Sequence, residues 1–145
     1  MFERILVAVD GSEGSKKALR VASKLQQTCG GELLLLTVFR HHSLLEASMS
    51  MVRPDDPESL DDSMRNYAKE VAEEAKAIAA ECGAEKVRAF VKAGQPARTI
   101  VKFGEEHKAD LIIVGSRGQG DMQGFLLGSV SHKVTSLAAM PVMVV

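Results

Sequence analysis

The sequence predicts an α/β fold, an open parallel sheet doubly wound with helices, from three observations. Short apolar runs alternate with helical patterns along the whole chain. Several of these runs are continuously apolar, as strands covered on both faces are. Two runs lead into glycine- and serine-bearing turns, placed where open parallel sheets hold their ligands.

Ile5–Val9 is expected as the first strand, followed by a helix from about Ser12 to Cys29 that buries Ala18, Leu19, Ala22 and Leu25. Gly30-Gly31 ends that helix, and Leu33–Phe39 is the second strand. From His41 to Leu60 the pattern gives no firm element, a longer stretch than connections in compact domains usually run. It nevertheless contains Leu44, Leu45, Met49, Met51 and Val52, too apolar for a simple solvated tether. Over Asp61–Cys82, the residues Met64, Tyr67, Ala68, Val71, Ala75, Ile78, Ala79 and Cys82 recur at three- and four-residue steps. They make one apolar stripe, with Ser59 or Asp61 as its cap and Gly83 as its left-handed stop.

Val87–Val91 is the third strand. A helix opening at Pro96, a residue suited to a first helical position, carries Ala97, Ile100, Val101 and Phe103. Leu111–Val114 is the fourth strand, and a helix starting near Gly128 presents Val130, Val134, Leu137 and Ala138. Val142–Val145 closes the set. Five strands alternating with four helices imply right-handed crossovers. With neither an internal repeat nor a linker, residues 1–145 read as one domain.

Bulk properties narrow the function. A chain of 145 residues, 46% of them hydrophobic, can bury a self-sufficient core. Lys and Arg number 18 against 19 Asp and Glu, a balance that argues against a general electrostatic hold on nucleic acid. Met1-Phe2-Glu3-Arg4 leads into an apolar run too short for a signal segment or a membrane span. Cys29 and Cys82 lack C-x-x-C spacing and are read as reduced core residues, which gives a cytoplasmic expectation.

Chemistry concentrates at two strand ends. One is Asp10-Gly11-Ser12; the other is Gly115-Ser116-Arg117-Gly118-Gln119-Gly120, continuing to Gly124 and Gly128-Ser129-Val130-Ser131. Glycines let backbone N–H groups turn inward, and a helix N-terminus adds unpaired N–H groups and partial positive charge. Ser129 and Ser131 offer hydroxyl donors, and Arg117 offers a charged fork for a phosphate. These features suit a polyphosphate, although glycine density alone leaves a plain flexible loop equally open. A Walker A loop does not fit, because Asp121 and Met122 follow Gly120 where Lys and a hydroxyl belong. A dinucleotide fingerprint does not fit either: after Gly118, Gly120 and Gly124 there is no acidic residue on a next strand for a ribose.

The pattern Gly115-x2-Gly118-x9-Gly128-Ser129 resembles the nucleotide loop of the ATP-binding universal stress proteins. The opening Ile5-Leu6-Val7-Ala8-Val9-Asp10-Gly11-Ser12, the strand from Ala109 to Gly115, and the closing Pro141-Val142-Met143-Val144-Val145 resemble the same family. The resemblance covers the whole chain outside the long middle loop. Phe39-Arg40-His41-His42-Ser43-Leu44-Leu45-Glu46-Ala47-Ser48 further resembles a subgroup associated with TRAP transporters for compatible solutes such as ectoine.

The resemblance implies a Rossmann-like sheet of the adenine nucleotide alpha hydrolase type, with strand order 3-2-1-4-5 and both loops at the switch point. It implies that Ala8, Val9 and Asp10 line the adenosine end and that Val38 meets adenine through its backbone. Val114 then closes the fourth strand against the nucleotide, and Gly115, Gly118, Gly128, Ser129, Val130 and Ser131 hold ribose and phosphates. ATP is the implied ligand, with magnesium carried mainly by the phosphates.

Other residues read more plainly. His41-His42 lacks a third ligand at metal spacing, and His132 reads as a helix-surface residue. Gln119 and Asp121 are near the loop in sequence, but no motif position makes either a water-positioning group. The function expected is a nucleotide-dependent regulatory module, with a slow ATPase or phosphotransferase, or a dimeric module with a vestigial pocket, as alternatives. The unguarded strand Val142–Val145 points to an isologous homodimer, and His41–Leu60 is the candidate surface for a regulatory or transporter partner.

Overall fold

The computed structural model describes residues 1–40, 57–117 and 127–145, with the backbone alone at 57–59. The elements run β1 (Arg4–Ala8), α1 (Glu13–Cys29), β2 (Glu32–Phe39), α2 (Pro57–Glu81) and β3 (Val87–Ala93). They continue as α3 (Pro96–Glu106), β4 (Leu111–Val114), α4 (Ser129–Leu137) and β5 (Val142–Val144). All strand pairs are parallel, in the order β3-β2-β1-β4-β5. This is the predicted order, and it puts the switch point between β1 and β4, where Ile5 stands opposite Leu111.

Side-chain alternation divides the core into two layers. Ile5, Val7, Leu33, Leu35, Leu111 and Ile113 pack against α1 and α2. Leu6, Leu34, Leu36, Ile112 and Val114 pack against α3 and α4. The central strands are buried on both faces, which is why their sequences are unbroken apolar runs.

Local chemistry sets the helix ends. Ser12 caps α1, its hydroxyl accepting from Ser15 N at 3.2 Å, and Gly30 ends the helix in the left-handed region at φ 75°. Gln95 caps α3 by accepting from Arg98 N at 2.8 Å, with Pro96 following. Between α1 and α2, Lys16 Nζ lies 3.1 Å from Glu74. That hydrogen bond and charge raise the Lys16 pKa above its ordinary value.

Several expectations are corrected. β1 ends at Ala8, although Val9 N still donates to Leu36 O at 2.9 Å. β3 runs on to Ala93. α2 begins at Pro57, so 57–60 are helical, and Ser59 and Asp61 lie inside the helix where they cannot cap it; a proline has no N–H to leave unsatisfied in the first turn. Its buried stripe is Ala68, Val71, Ala72, Ala75 and Ala79, while Tyr67 is 51% exposed. Small side chains let α2 approach the sheet and push the bulky ring to the flank. Leu137 is likewise 49% exposed, at the end of the short α4. Cys29 and Cys82 are unpaired and half-buried, Cys29 in the last turn of α1 and Cys82 in the turn that follows α2, outside the core. The sequence features at residues 41–56, His41 and His42 included, lie outside the described residues.

Leu35 is fully buried in the central part of the sheet. Leu35→Ala is expected to cost about 3 kcal/mol, read as a lower urea midpoint at unchanged slope.

Candidate functional site

At the end of β1 the chain must turn sharply into α1. Gly11 takes φ 84°, which a side chain would oppose. The Asp10 carboxylate stabilises the turn: Oδ1 accepts from Ser12 N at 2.9 Å and from Ser12 Oγ at 2.5 Å. Ser15 completes the arrangement, its hydroxyl donating to Ser12 O at 3.1 Å and accepting from Asp10 N at 3.3 Å. Asp10 is therefore both a turn-forming residue and part of the wall of a cleft.

At the end of β4 the backbone runs directly against the first turn of α1. A Cβ on Gly115 would lie 2.8 Å from the Gly14 carbonyl group, and a Cβ on Gly14 would lie 2.3 Å from Arg117 O. Neither position has room for a side chain without movement. Ser116 then anchors three elements: its N–H donates to Val145 O at 2.7 Å, and its carbonyl accepts from Gly128 N at 2.6 Å and Ser131 Oγ at 3.0 Å.

Gly128 occupies the N-cap of α4 without a side-chain cap. The first helical bond runs from His132 N to Gly128 O at 3.0 Å. The N–H groups of Ser129, Val130 and Ser131 thus have no acceptor within the helix, and they carry the positive end of its dipole.

Together these parts form a cleft of about 270 Å³, near the lower end of the roughly 300–1,000 Å³ usual for small-molecule sites. Ala8, Leu36, Val38, Pro96 and Ile100 give it an apolar side. Asp10, Ser15, Gly115, Ser129 and Ser131 give it a polar side, with Arg40 and Arg117 as its cations.

Of the residues expected from sequence, Ala8, Val9, Asp10, Val38, Val114, Gly115, Arg117, Ser129, Val130 and Ser131 line this one cleft. Gly128 sits behind it as the cap of α4, and Gly118 lies outside the described residues, as do Gln119 and Asp121. One expectation changes: Ser131 is buried, and its single hydroxyl hydrogen is directed at Ser116 O and Gly128 O. It ties the loop, leaving its backbone N–H for a ligand. His132 is exposed on α4.

Ser15, Leu36, Arg40, Pro96 and Ile100 line the cleft without having been expected, and Gly14 shapes it from behind. Leu36 was within reach of sequence reasoning, since it sits two residues before Val38 on the same strand face. Arg40, one residue past β2, was also within reach. Ile100 and Pro96 arrive through the β3–α3 crossover, which no local pattern reports.

Residues 1–145 match the model of the universal stress protein family. The chain belongs to that family. Among relatives, it is 38% identical over 149 residues to universal stress protein YxiE of Bacillus subtilis, covering 100% of this chain and 99% of that one. A universal stress protein of Thermus aquaticus is 34% identical over 145 residues, covering 100% and 99%. The solved structure of protein MJ0577 of Methanocaldococcus jannaschii superposes with a TM-score of 0.84 at 30% identity, covering 100% of this chain and 96% of that one. Two further universal stress protein structures share the fold at 24% identity. One, in complex with cAMP, has a TM-score of 0.73 and covers 99% and 96%; the other, from Archaeoglobus fulgidus in complex with dAMP, has 0.70 and covers 97% and 95%.

In this universal stress protein, Gly14→Ala tests the backbone contact at the base of the cleft. The alanine favours the helix by up to about 1 kcal/mol, but its methyl meets Arg117 O, and overpacking costs roughly 1–3 kcal/mol. Net destabilisation in urea is expected, with amide shifts at Ser116 and Arg117; a more stable variant would refute the close approach.

Proposed function

We propose that the cleft binds ATP with its magnesium, and that this universal stress protein is a cytoplasmic regulatory module whose state follows nucleotide occupancy. The observation that carries this reading is the polarity of the cleft. Ala8, Leu36, Val38 and Ile100 offer an apolar slot for a base at one side. The open N–H groups of α4, Gly115 and Arg117 offer donors for phosphates at the other. The glycine at 115 fits that use, because a side chain there would strike backbone.

On this reading Ala8, Val9 and Asp10 contact adenosine, Val38 meets the base through its backbone, and Val114, Gly115, Gly118, Gly128, Ser129, Val130 and Ser131 surround ribose and phosphates. The cAMP and dAMP seen in two proteins of the same fold support an adenine nucleotide here. Arg40, on the cleft wall, begins the sequence that leads into His41–Leu60. That connection supports His41–Leu60 as the surface read by a partner, a TRAP-type compatible-solute transporter being the partner the sequence resemblance favours. Among the described residues, no helix is long and apolar enough to cross a membrane.

Calorimetric titration of magnesium-ATP into nucleotide-stripped protein tests the proposal. Saturable binding is expected, weakened about tenfold by Arg117→Ala through loss of a charged hydrogen bond and abolished by Gly115→Val, with folding checked by circular dichroism. No heat from folded wild type would overturn the ATP reading in favour of a vestigial pocket. Magnesium-dependent turnover near about 10 per second would replace the regulatory reading with an enzymatic one.

A homodimer through β5 is the second part of the proposal. Ile112 N donates to Pro141 O and Val145 N donates to Val114 O, so residues 141, 143 and 145 face β4 and the backbone groups of Val142 and Val144 point outward. The strand carries no charge, and exposed Leu137 lies on the adjoining helix. Light scattering at micromolar concentration is expected to give a dimer for wild type. Val144→Pro, which removes an outward donor, is expected to give a monomer; a monomeric wild type would refute the interface.

A further inference from the structure

The opposite edge of the sheet differs from β5 in both backbone exposure and charge. β3 pairs only with β2. Leu33 N donates to Lys86 O and Gly94 N donates to Phe39 O, so the even-numbered residues of this stretch direct their N–H and C=O toward β2. By the two-residue period of a strand, Val87, Ala89, Val91 and Ala93 direct theirs away from the sheet. None of these four has a hydrogen-bond partner on that side among the described residues.

The two faces beside this open edge are unlike. Toward α1 and α2 it is apolar: Val87 and Ala89 pack against that layer of the core, and Val91 follows on the same face. Toward α3 there is a groove of about 280 Å³, floored by Phe103 and rimmed by Lys92, Arg98 and Lys102, with Glu106 as its one carboxylate. Lys102 and Glu106 approach to 3.8 Å with both side chains exposed, a pairing of little strength. Lys92 and Arg98 make no ion pair among the described residues. Arg88 adds a further cation on that face, though it is held over the Phe90 ring at 5.5 Å and by Glu32 at 3.3 Å.

Cations that only guard an edge against aggregation need no groove beside them. Here they are collected on one side of four outward-facing backbone positions, around a groove of about 280 Å³. An added strand would lie about 4.8 Å from β3 and send alternate side chains to opposite faces. Its residues facing α3 would meet three cations; its residues facing α2 would meet Val87, Ala89 and Val91.

We propose that the β3 edge is a docking site for an extended acidic peptide segment of a partner protein, one in which carboxylates alternate with apolar residues. It pairs with the outward backbone of β3 and places its carboxylates in the Lys92–Arg98–Lys102 groove. The site lies at the far edge of the sheet from β5 and uses none of the nucleotide cleft, so it does not depend on the ATP reading.

The test uses the full-length protein, isotopically labelled, with the peptide acetyl-(Glu-Val)4-amide. Binding is expected to slow amide exchange at least tenfold at Ala89, Val91 and Ala93, while Arg88, Phe90 and Lys92, already bonded to β2, keep their rates. Lys92→Glu with Arg98→Glu is expected to weaken binding tenfold or more without changing the urea midpoint appreciably, and added salt is expected to weaken it in wild type. Equal binding of (Lys-Val)4 would overturn the charge argument. Binding of the acidic peptide without protection of the odd-numbered amides would show adhesion to the cations alone and overturn the strand-addition argument. Concentration-dependent protection of those amides without peptide would assign the edge to a second copy of this chain and overturn the proposal.

Discussion

The Ser116 carbonyl accepts from Gly128 N at 2.6 Å and from Ser131 Oγ at 3.0 Å, while Ser116 N donates to Val145 O at 2.7 Å. These bonds join the exit of β4, the start of α4 and the end of the chain after β5 at one residue. Together with the packing of Val130 and Val134 into the core, they fix the first turn of α4 against the sheet and so set the direction of its open N–H groups. The buried Ser131 hydroxyl does this work from inside the helix. The side chain that sequence chemistry assigns to the ligand therefore serves the loop, and its backbone faces the cleft. A serine two residues past the helix start is ambiguous in this way until its neighbours are known.

Backbone contact on the other side of the cleft imposes a second constraint. Gly14 and the segment from Gly115 to Arg117 approach so closely that a methyl on either glycine would meet carbonyl atoms. This brings the Asp10–Ser12–Ser15 turn alongside the exit of β4. The cleft is thus bounded by the turn after β1 and by the N-terminus of α4, both held by hydrogen bonds independent of any ligand. Preorganised donors of this sort lower the ordering cost of binding. The same parallel topology that buries the central strands supplies the opening, because the connections leaving β1 and β4 diverge to opposite faces there.

Much of this was legible in the sequence for a physical reason. The strands of a two-sided parallel sheet are unbroken apolar runs, so Ile5–Val7, Leu33–Leu36 and Leu111–Val114 identify themselves. The turn residues at their ends identify the cleft, because ligand chemistry and strand termination occur together. Less legible were contributions from crossovers. Ile100 and Pro96 reach the cleft only because α3 crosses behind β2 and β1, and the helix pattern around them reads as ordinary core. Gly14 looks like a weak helix residue until the β4 loop is placed against it. The start of α2 was missed because Ser59 and Asp61 resemble caps, while Pro57 already supplies the first helical residue.

Charge distribution separates the two open edges in a way that composition conceals. The chain is nearly neutral, with 18 basic and 19 acidic residues, yet two places gather cations. Arg40 and Arg117 stand at the cleft, and Lys92, Arg98 and Lys102 stand beside β3. β5 has no charge at all along Val142–Val144. An uncharged edge can accept an identical strand without repulsion, whereas a β3 edge meeting its own copy would bring like-charged grooves together. The same alternation that sorts side chains between the two core layers thus leaves the two edges chemically different, apolar and uncharged at β5 and flanked by cations at β3.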